Sequence, residues 1–239
     1  MAKIADRILD KIYSFYINYK VFDKNVAKRL PIYMSHNVKC KGLYKGCIDL
    51  KAAKIYKGML QIGFGRISPG IEKGRKSYIN IIGSGKMCFA GKADLSMGIS
   101  LNVYNNALLT IGSGIYANGY CSIQCKEKIT IGKDNMWGWN VEIIDGDGHP
   151  ILNEEGKIVN PNKAIQIGDD VWLGANSKVL KGSNIKNGCI VGFGSVVVGE
   201  NQNSNSILVG YPATEIKYGI KWCREEMYSN QEHDNILYK

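Results

Sequence analysis

From Ile167 an aliphatic side chain returns at every sixth position: Ile167, Leu173, Val179, Ile185, Val191 and Val197. A helix cannot use that period, because six residues at about 100° each send successive members to different faces. An extended chain can, since six is even and every member then points to one side. Four positions after each comes a second inward candidate: Val171, Ser177, Ser183, Cys189 and Ser195. Small side chains are expected there, where the chain turns a tight corner and the interior narrows. Glycine directly follows the aliphatic residue at Gly168, Gly174 and Gly192, which fits close backbone approach at a turn. Leu180 and Lys186 stand at that position instead, so the glycine rule is loose. A period of this kind implies stacked, near-identical turns of chain.

Upstream the pattern degrades. An apolar-x-Ile-Gly element occurs at Leu60–Gly63, Leu109–Gly112, Ile129–Gly132 and Ile165–Gly168. The second and third lie 20 residues apart, close to three hexads with a short bulge. The third and fourth lie 36 apart, which reads as two coils. Residues 145–164 break the hexads with polar, Gly- and Pro-bearing sequence, an excursion loop. Before residue 30, Ile4, Ile8, Leu9, Ile12, Phe15, Tyr16 and Tyr19 fall at helical spacing with lysines between them. That segment is either a helix capping the end of the solenoid or a basic amphipathic helix on a membrane surface. The polar stretch from about Lys217 to Lys239 is expected to begin as a helix and to fray. The expected division is therefore a helical cap over 1–30, a repeat domain over 31–215 and a tail over 216–239.

Charge is uneven. Residues 1–80 carry 17 Lys/Arg against 5 Asp/Glu, while the remainder carries 14 against 16. A basic N-terminal third suits an anionic glycan, a lipid headgroup or simple solvation. Lys51, Lys54 and Lys57 are candidates for steering an anionic acceptor. Nucleic acid is disfavoured, since no recognised binding motif accompanies the charge. Seven cysteines, with no CxxC pair, point to buried thiols in a reducing compartment. No run reaches the ~18–20 apolar residues of a membrane span, and no signal peptide is visible. The expectation is a cytoplasmic protein, with contact at the inner membrane surface left open.

The hexads resemble the hexapeptide-repeat acyltransferases. The resemblance implies an all-β fold, a left-handed parallel β-helix with an N-terminal helical cap, an excursion loop and a short C-terminal helical tail. Within the loop, Asp147-Gly148-His149-Pro150 is followed downstream by Val171-Trp172-Leu173-Gly174-Ala175-Asn176. That arrangement is similar to the maltose, galactoside and capsular-polysaccharide O-acetyltransferases. The resemblance implies that His149 deprotonates an acceptor hydroxyl, which attacks the thioester of acetyl-CoA. Taken alone, His149 could equally be a surface histidine. Tyr116-Ala117-Asn118 matches the position of an asparagine that holds the acceptor in that family. Asn118 could instead occupy a corner that favours the left-handed backbone conformation. Where simpler sugar acetyltransferases place a substrate-binding aspartate, this chain has Lys126, so the acceptor cannot be copied from them.

The resemblance further implies a homotrimer with the donor between subunits. Its donor-binding positions match Trp172, Gly174, Ala175, Phe193, Gly194 and Lys217, with Lys221 and Arg224 able to replace a missing phosphate-facing lysine. No metal is implied. Trp137, Trp139 and Trp172 are candidates for a corner or a subunit interface. Asp145 or Asp147 could orient His149, or serve the turn. Neither Cys121 nor Cys125 has the setting of a nucleophile.

The sequence thus supports an acetyl-CoA-dependent O-acetyltransferase acting on a saccharide or lipid-linked saccharide. Amino-sugar N-acetylation, or acetylation of a serine or antibiotic hydroxyl, would use the same base. A zinc carbonic anhydrase of the same repeat class needs three histidines. His36 and His233 lie toward the two ends, which disfavours it. A non-catalytic scaffold would leave His149 and Asn118 as coincidences.

Overall fold

The computed structural model describes residues 2–65 and 76–224. Short strands visit three sheets in rotation, so each pairs with the strand three places on until the last coil, where Ile190–Val191 pairs with Ser206–Gly210, two places on. The first sheet has nine strands, the second seven and the third six. All pairings are parallel except the last, a hairpin between Ser206–Gly210 and Ala213–Tyr218. This is a parallel β-helix of triangular cross-section.

Both inward series face the interior. Ile167, Leu173, Val179, Ile185, Val191 and Val197 are buried, as are Val171, Ser177, Ser183, Cys189 and Ser195. Ile167 pairs with Ile185 on the third sheet and Leu173 with Val191 on the first, so 18 residues close one coil here. Nearer the N-terminus the coils are longer. Ile79 pairs with Leu101, and Leu101 with Ile123, each 22 positions on. The extra corner residues shift the phase of the pattern, which is why the hexads fade upstream although the prism continues back to Ile32.

Two readings of the spacing are corrected. Ile129 pairs directly with Ile165, so the 36-residue interval is one coil, with the loop 145–164 taking up the surplus. Leu60–Phe64 belongs to the first sheet, whereas Leu109, Ile129 and Ile165 stack on the third. Trp137 is also corrected: it points into the core, 1% exposed, rather than outward to a corner or interface. The tail differs too. Ala213–Tyr218 is strand, and residues up to Arg224 form no helix; the rest of the tail and His233 lie outside the described residues.

The first coil would leave an open strand edge, which invites pairing with another chain. Helix α1 (Ala2–Val21) covers it. Side chains four apart on a helix rise about 6 Å, close to the two-residue repeat of a strand. Accordingly, Asn18 exchanges two hydrogen bonds with the backbone of Ile32, accepting from its N–H (3.1 Å) and donating to its carbonyl (2.7 Å). Ser14 Oγ accepts from Met34 N–H (2.8 Å) and lies 3.1 Å from the Met34 carbonyl. Asp10 accepts from His36 N–H at 2.8 Å and meets its Nδ1 at 2.7 Å. Three buried polar residues of the helix thereby satisfy three alternate residues of the edge. A short second helix, α2 (Lys24–Ala27), leads into the first strand.

Candidate active site

The edge between the first and second sheets carries most of the matched residues. Backbone bonds stack Asn118 N–H on Trp137 O (3.1 Å), Gly138 N–H on Leu173 O (2.7 Å) and Gly174 N–H on Val191 O (2.7 Å). Gly194 N–H donates to Ala175 O at 2.9 Å. A Cβ on Gly174 would stand 2.6 Å from Val191 O, so coil stacking by itself requires the glycine there. Trp139 and Phe193 meet edge-to-face, with centroids 6.3 Å apart, and Phe193 is 68% exposed. Together they form an aromatic wall beside Asn118, Ala175 and Gly194. The left-handed backbone position of Asn118's coil falls at Tyr120 (φ 66°), and Asn118 has no positive φ. Its place is therefore not explained by corner geometry. Its Oδ1 accepts from Gly119 N–H at 2.7 Å.

His149 belongs to the opposite edge of the second sheet. The strand Glu142–Ile144 ends there, and the loop leaves at Asp145. Asp145 is fully buried and accepts from the N–H groups of Lys126 (2.6 Å) and Glu127 (2.9 Å). Lys181 Nζ lies 2.5 Å from Asp147 Oδ2, and Asn160 Nδ2 donates to the same oxygen at 2.7 Å. These bonds hold the Asp147 carboxyl below the usual carboxylate range. Lys126 reaches the Asp147 carbonyl, clamping the loop base. Asn160 also donates to His149 O (2.9 Å) and accepts from Ile151 N–H (2.6 Å).

The backbone on either side of His149 is thus pinned while its side chain is exposed. Among the described residues none hydrogen-bonds to its ring. Neither Asp145 nor Asp147 orients the imidazole, because both carboxylates are committed to the loop's own framework. Sequence reading missed Asn160 and Lys181, which organise the loop; a lone asparagine and a lone lysine give no periodic or motif signal.

The third edge holds the remaining positions. Trp172, at the start of its strand, meets Trp222 at 6.0 Å, and Trp222 Nε1 donates to Asp170 O at 2.6 Å. Arg224 donates to Gly114 O at 2.8 Å. A cleft of about 610 Å³ lies here, lined by Asp134, Asp170, Lys221, Trp222 and Arg224 among others. Lys217 is exposed on the final hairpin. Trp172 and Lys221 are thus brought together, apart from the Ala175–Phe193 edge. Burial raises the Cys121 and Cys125 thiols to about 12, with nearby Asp145 adding to the effect at Cys125. Among the described residues no three His, Cys, Asp or Glu side chains are grouped to hold a metal.

Stacked hexapeptide coils with a histidine-bearing loop define a class of transferases. Residues 164–199 match the family model for bacterial transferase hexapeptide repeats. The chain is 34% identical over 163 residues to the polysialic acid O-acetyltransferase of Neisseria meningitidis, covering 67% of this chain and 76% of that protein. A galactoside O-acetyltransferase of Lactococcus lactis is 36% identical over 104 residues, 42% of this chain and 48% of the relative. The crystal structure of the polySia-specific acetyltransferase NeuO superposes with a TM-score of 0.59 at 24% identity, covering 82% of this chain and 81% of that one. The chain belongs to the hexapeptide-repeat O-acetyltransferases and has their left-handed parallel β-helix fold.

Proposed function

We propose that this enzyme moves an acetyl group from acetyl-CoA to a saccharide hydroxyl, with His149 as general base, in a site shared by two subunits of a trimer. The observation that carries this reading is the separation of the two edges. Asn118 precedes the strand Ser122–Cys125 and His149 follows its neighbour Glu142–Ile144. The second sheet lies between them, about 13 Å for four residues of strand. A trimer around an axis parallel to the prism apposes one copy's first-to-second edge to the next copy's loop. The aromatic wall of Trp139 and Phe193 then forms one side of a cleft, and His149 the other.

In that cleft a ring nitrogen of neutral His149 takes the proton of the acceptor hydroxyl as its oxygen bonds to the thioester carbon. Collapse of the tetrahedral species breaks the carbon–sulfur bond, and the imidazolium returns the proton to the departing CoA thiolate. Backbone N–H groups along the cleft are suited to meet the oxyanion. Asn118, able both to donate and to accept, orients the hydroxyl. The donor lies along the edge of Gly174, Ala175, Phe193 and Gly194. Trp172, Lys217 and Lys221, which stand across the first sheet from that edge, are assigned to its nucleotide end by the family resemblance alone. The named substrates of the relatives, polysialic acid and a galactoside, support a saccharide acceptor. Seven unpaired cysteines fit a cytoplasmic setting.

His149→Ala should lower turnover by ~10²–10⁴ and leave acetyl-CoA affinity nearly unchanged. Asn118→Ala should also be impaired. Mixing the two variants under subunit exchange should restore part of the activity, because some interfaces then combine an intact His149 with an intact Asn118. Near-native turnover in His149→Ala would refute the base. Two impaired variants that never complement would refute the shared site.

A further inference from the structure

Helix α1 has a second face that the solenoid does not use. Its inner side is occupied by Asp10, Ser14, Ile17, Asn18 and Val21, all buried. Opposite them, Ile4, Ile8, Leu9, Ile12, Phe15 and Tyr16 range from 47% exposed at Leu9 to 64% at Ile4. At about 100° per residue these six span an apolar arc of roughly 140°, wider than the stripe a helix needs to pack on one core. Because α1 covers the terminal strand edge, this arc points along the prism axis, away from the protein.

Charge sorts around the arc. Of the helix's two acids, Asp10 is buried 2.7 Å from His36 Nδ1, and Asp6, exposed, lies 3.8 Å from His36 Nε2. The rim of the arc is basic, with exposed Arg7 and Lys11 on one flank and Lys20 on the other. Lys20 Nζ lies 5.5 Å above the Tyr16 ring and donates to its hydroxyl at 3.2 Å. It drapes its stem along the apolar face and keeps its charge at the edge. Lys24, Lys28 and Arg29 extend the exposed positive rim into and beyond α2. No helix is long and apolar enough to cross a membrane among the described residues. A helix apolar on one side and edged by Lys and Arg lies in the headgroup plane instead.

We propose that the outer face of α1 docks the enzyme on an anionic membrane surface, with the prism standing end-on to the bilayer. A second copy of the chain suits this face less well, since two rims would meet on which the exposed Arg7, Lys11, Lys20, Lys24, Lys28 and Arg29 outnumber the exposed Asp6 and Asp23. In a trimer all three helices point the same way, so three weak contacts act together.

Flotation of the full-length protein with vesicles tests this. The protein should float with equal parts phosphatidylglycerol and phosphatidylcholine at low salt, and not with phosphatidylcholine alone. The double variant Ile8→Asp/Ile12→Asp should lose flotation. Arg7→Gln/Lys11→Gln, which removes no apolar surface, should weaken it by at least about 30-fold, the loss for the two charges of one helix at the usual contribution of each basic residue near such a surface. Neither pair should change turnover on a soluble acceptor or the mass of the assembly. Three results would overturn the proposal: no flotation of the wild type, Ile8→Asp/Ile12→Asp floating as the wild type does, or a fall in assembly mass that assigns the face to another copy. Turnover on a soluble acceptor reports on the acetyltransfer reading separately.

Discussion

Cys121 and Cys125 show how position in the prism decides what a residue can do. A thiol in a reducing compartment could be a nucleophile, yet both point into the core. Cys121 lies 3.1 Å from Gly138 O, and burial raises its pKa to about 12. The pH consequence follows in sign. The folded thiol keeps its proton where the unfolded one, near 9, has lost it. The stabilisation is complete below pH 9 and is lost as pH rises toward 12. Alkaline unfolding should therefore begin above pH 9 and be milder in Cys121→Ala relative to its own neutral-pH stability. The difference should be roughly 2–3 kcal/mol at pH 11 in denaturant titrations. Equal alkaline slopes in the two proteins would contradict this. Trp137 carries a related lesson: read from sequence as surface, it fills the interior, because its even-numbered offset from Leu173 across one coil places both on the inward side.

At the scale of elements, α1 is set against the solenoid by polar pairs as well as apolar packing. Its heptad-like apolar residues were legible in sequence; which face would pack was not. The apolar face points outward, and the more polar face of Asp10, Ser14 and Asn18 is buried. The reason is that an uncovered strand edge demands hydrogen-bond partners more strongly than a covered core demands further apolar contact. Asn18→Ala should leave the Ile32 N–H and carbonyl without their side-chain partners, at a cost of about 1–3 kcal/mol per group. Thermal unfolding should show a fall of several degrees, with raised light scattering as the edge opens. Asn18→Asp, which keeps the acceptor for Ile32 N–H, should fall between. An unshifted midpoint in Asn18→Ala would mean that the edge is satisfied some other way.

At the scale of the whole molecule, Asn118 and His149 stand on two different edges, and in the proposed trimer each edge is half of a site. Sedimentation or light scattering should give a particle of three times 26.5 kDa. Dilution that yields monomers should abolish turnover while leaving the coils folded by circular dichroism. A fully active monomer would contradict the shared cleft. The loop supplies a second check on the same scale. Lys181 and Lys126 hold it to the prism through Asp147, so Lys181→Ala should loosen the loop. Turnover should fall about tenfold, with the donor's affinity less affected, because positioning rather than donor contact is lost. Unaltered turnover would assign the pair to surface solvation alone.

Periodicity in the sequence determined an extended chain with one side inward from residue 165 onward, because an even six-residue repeat admits nothing else; that three hexads close each turn was implied by the family resemblance and is seen in the strand pairing. The loop boundaries were legible for the same reason, as a gap in that repeat. Longer coils hid the upstream half, since two to four added corner residues per coil move the pattern out of phase without altering the stacking. Tertiary structure alone decided which carboxylates were free: Asp145 and Asp147 sit within four residues of His149, yet Asp145 is taken by the Lys126 and Glu127 N–H groups of the preceding coil and Asp147 by Lys181 and the loop's Asn160. It also decided that Asn118 and His149 stand on different edges, because sheet membership depends on where each corner falls, and the spacing of single residues does not record that.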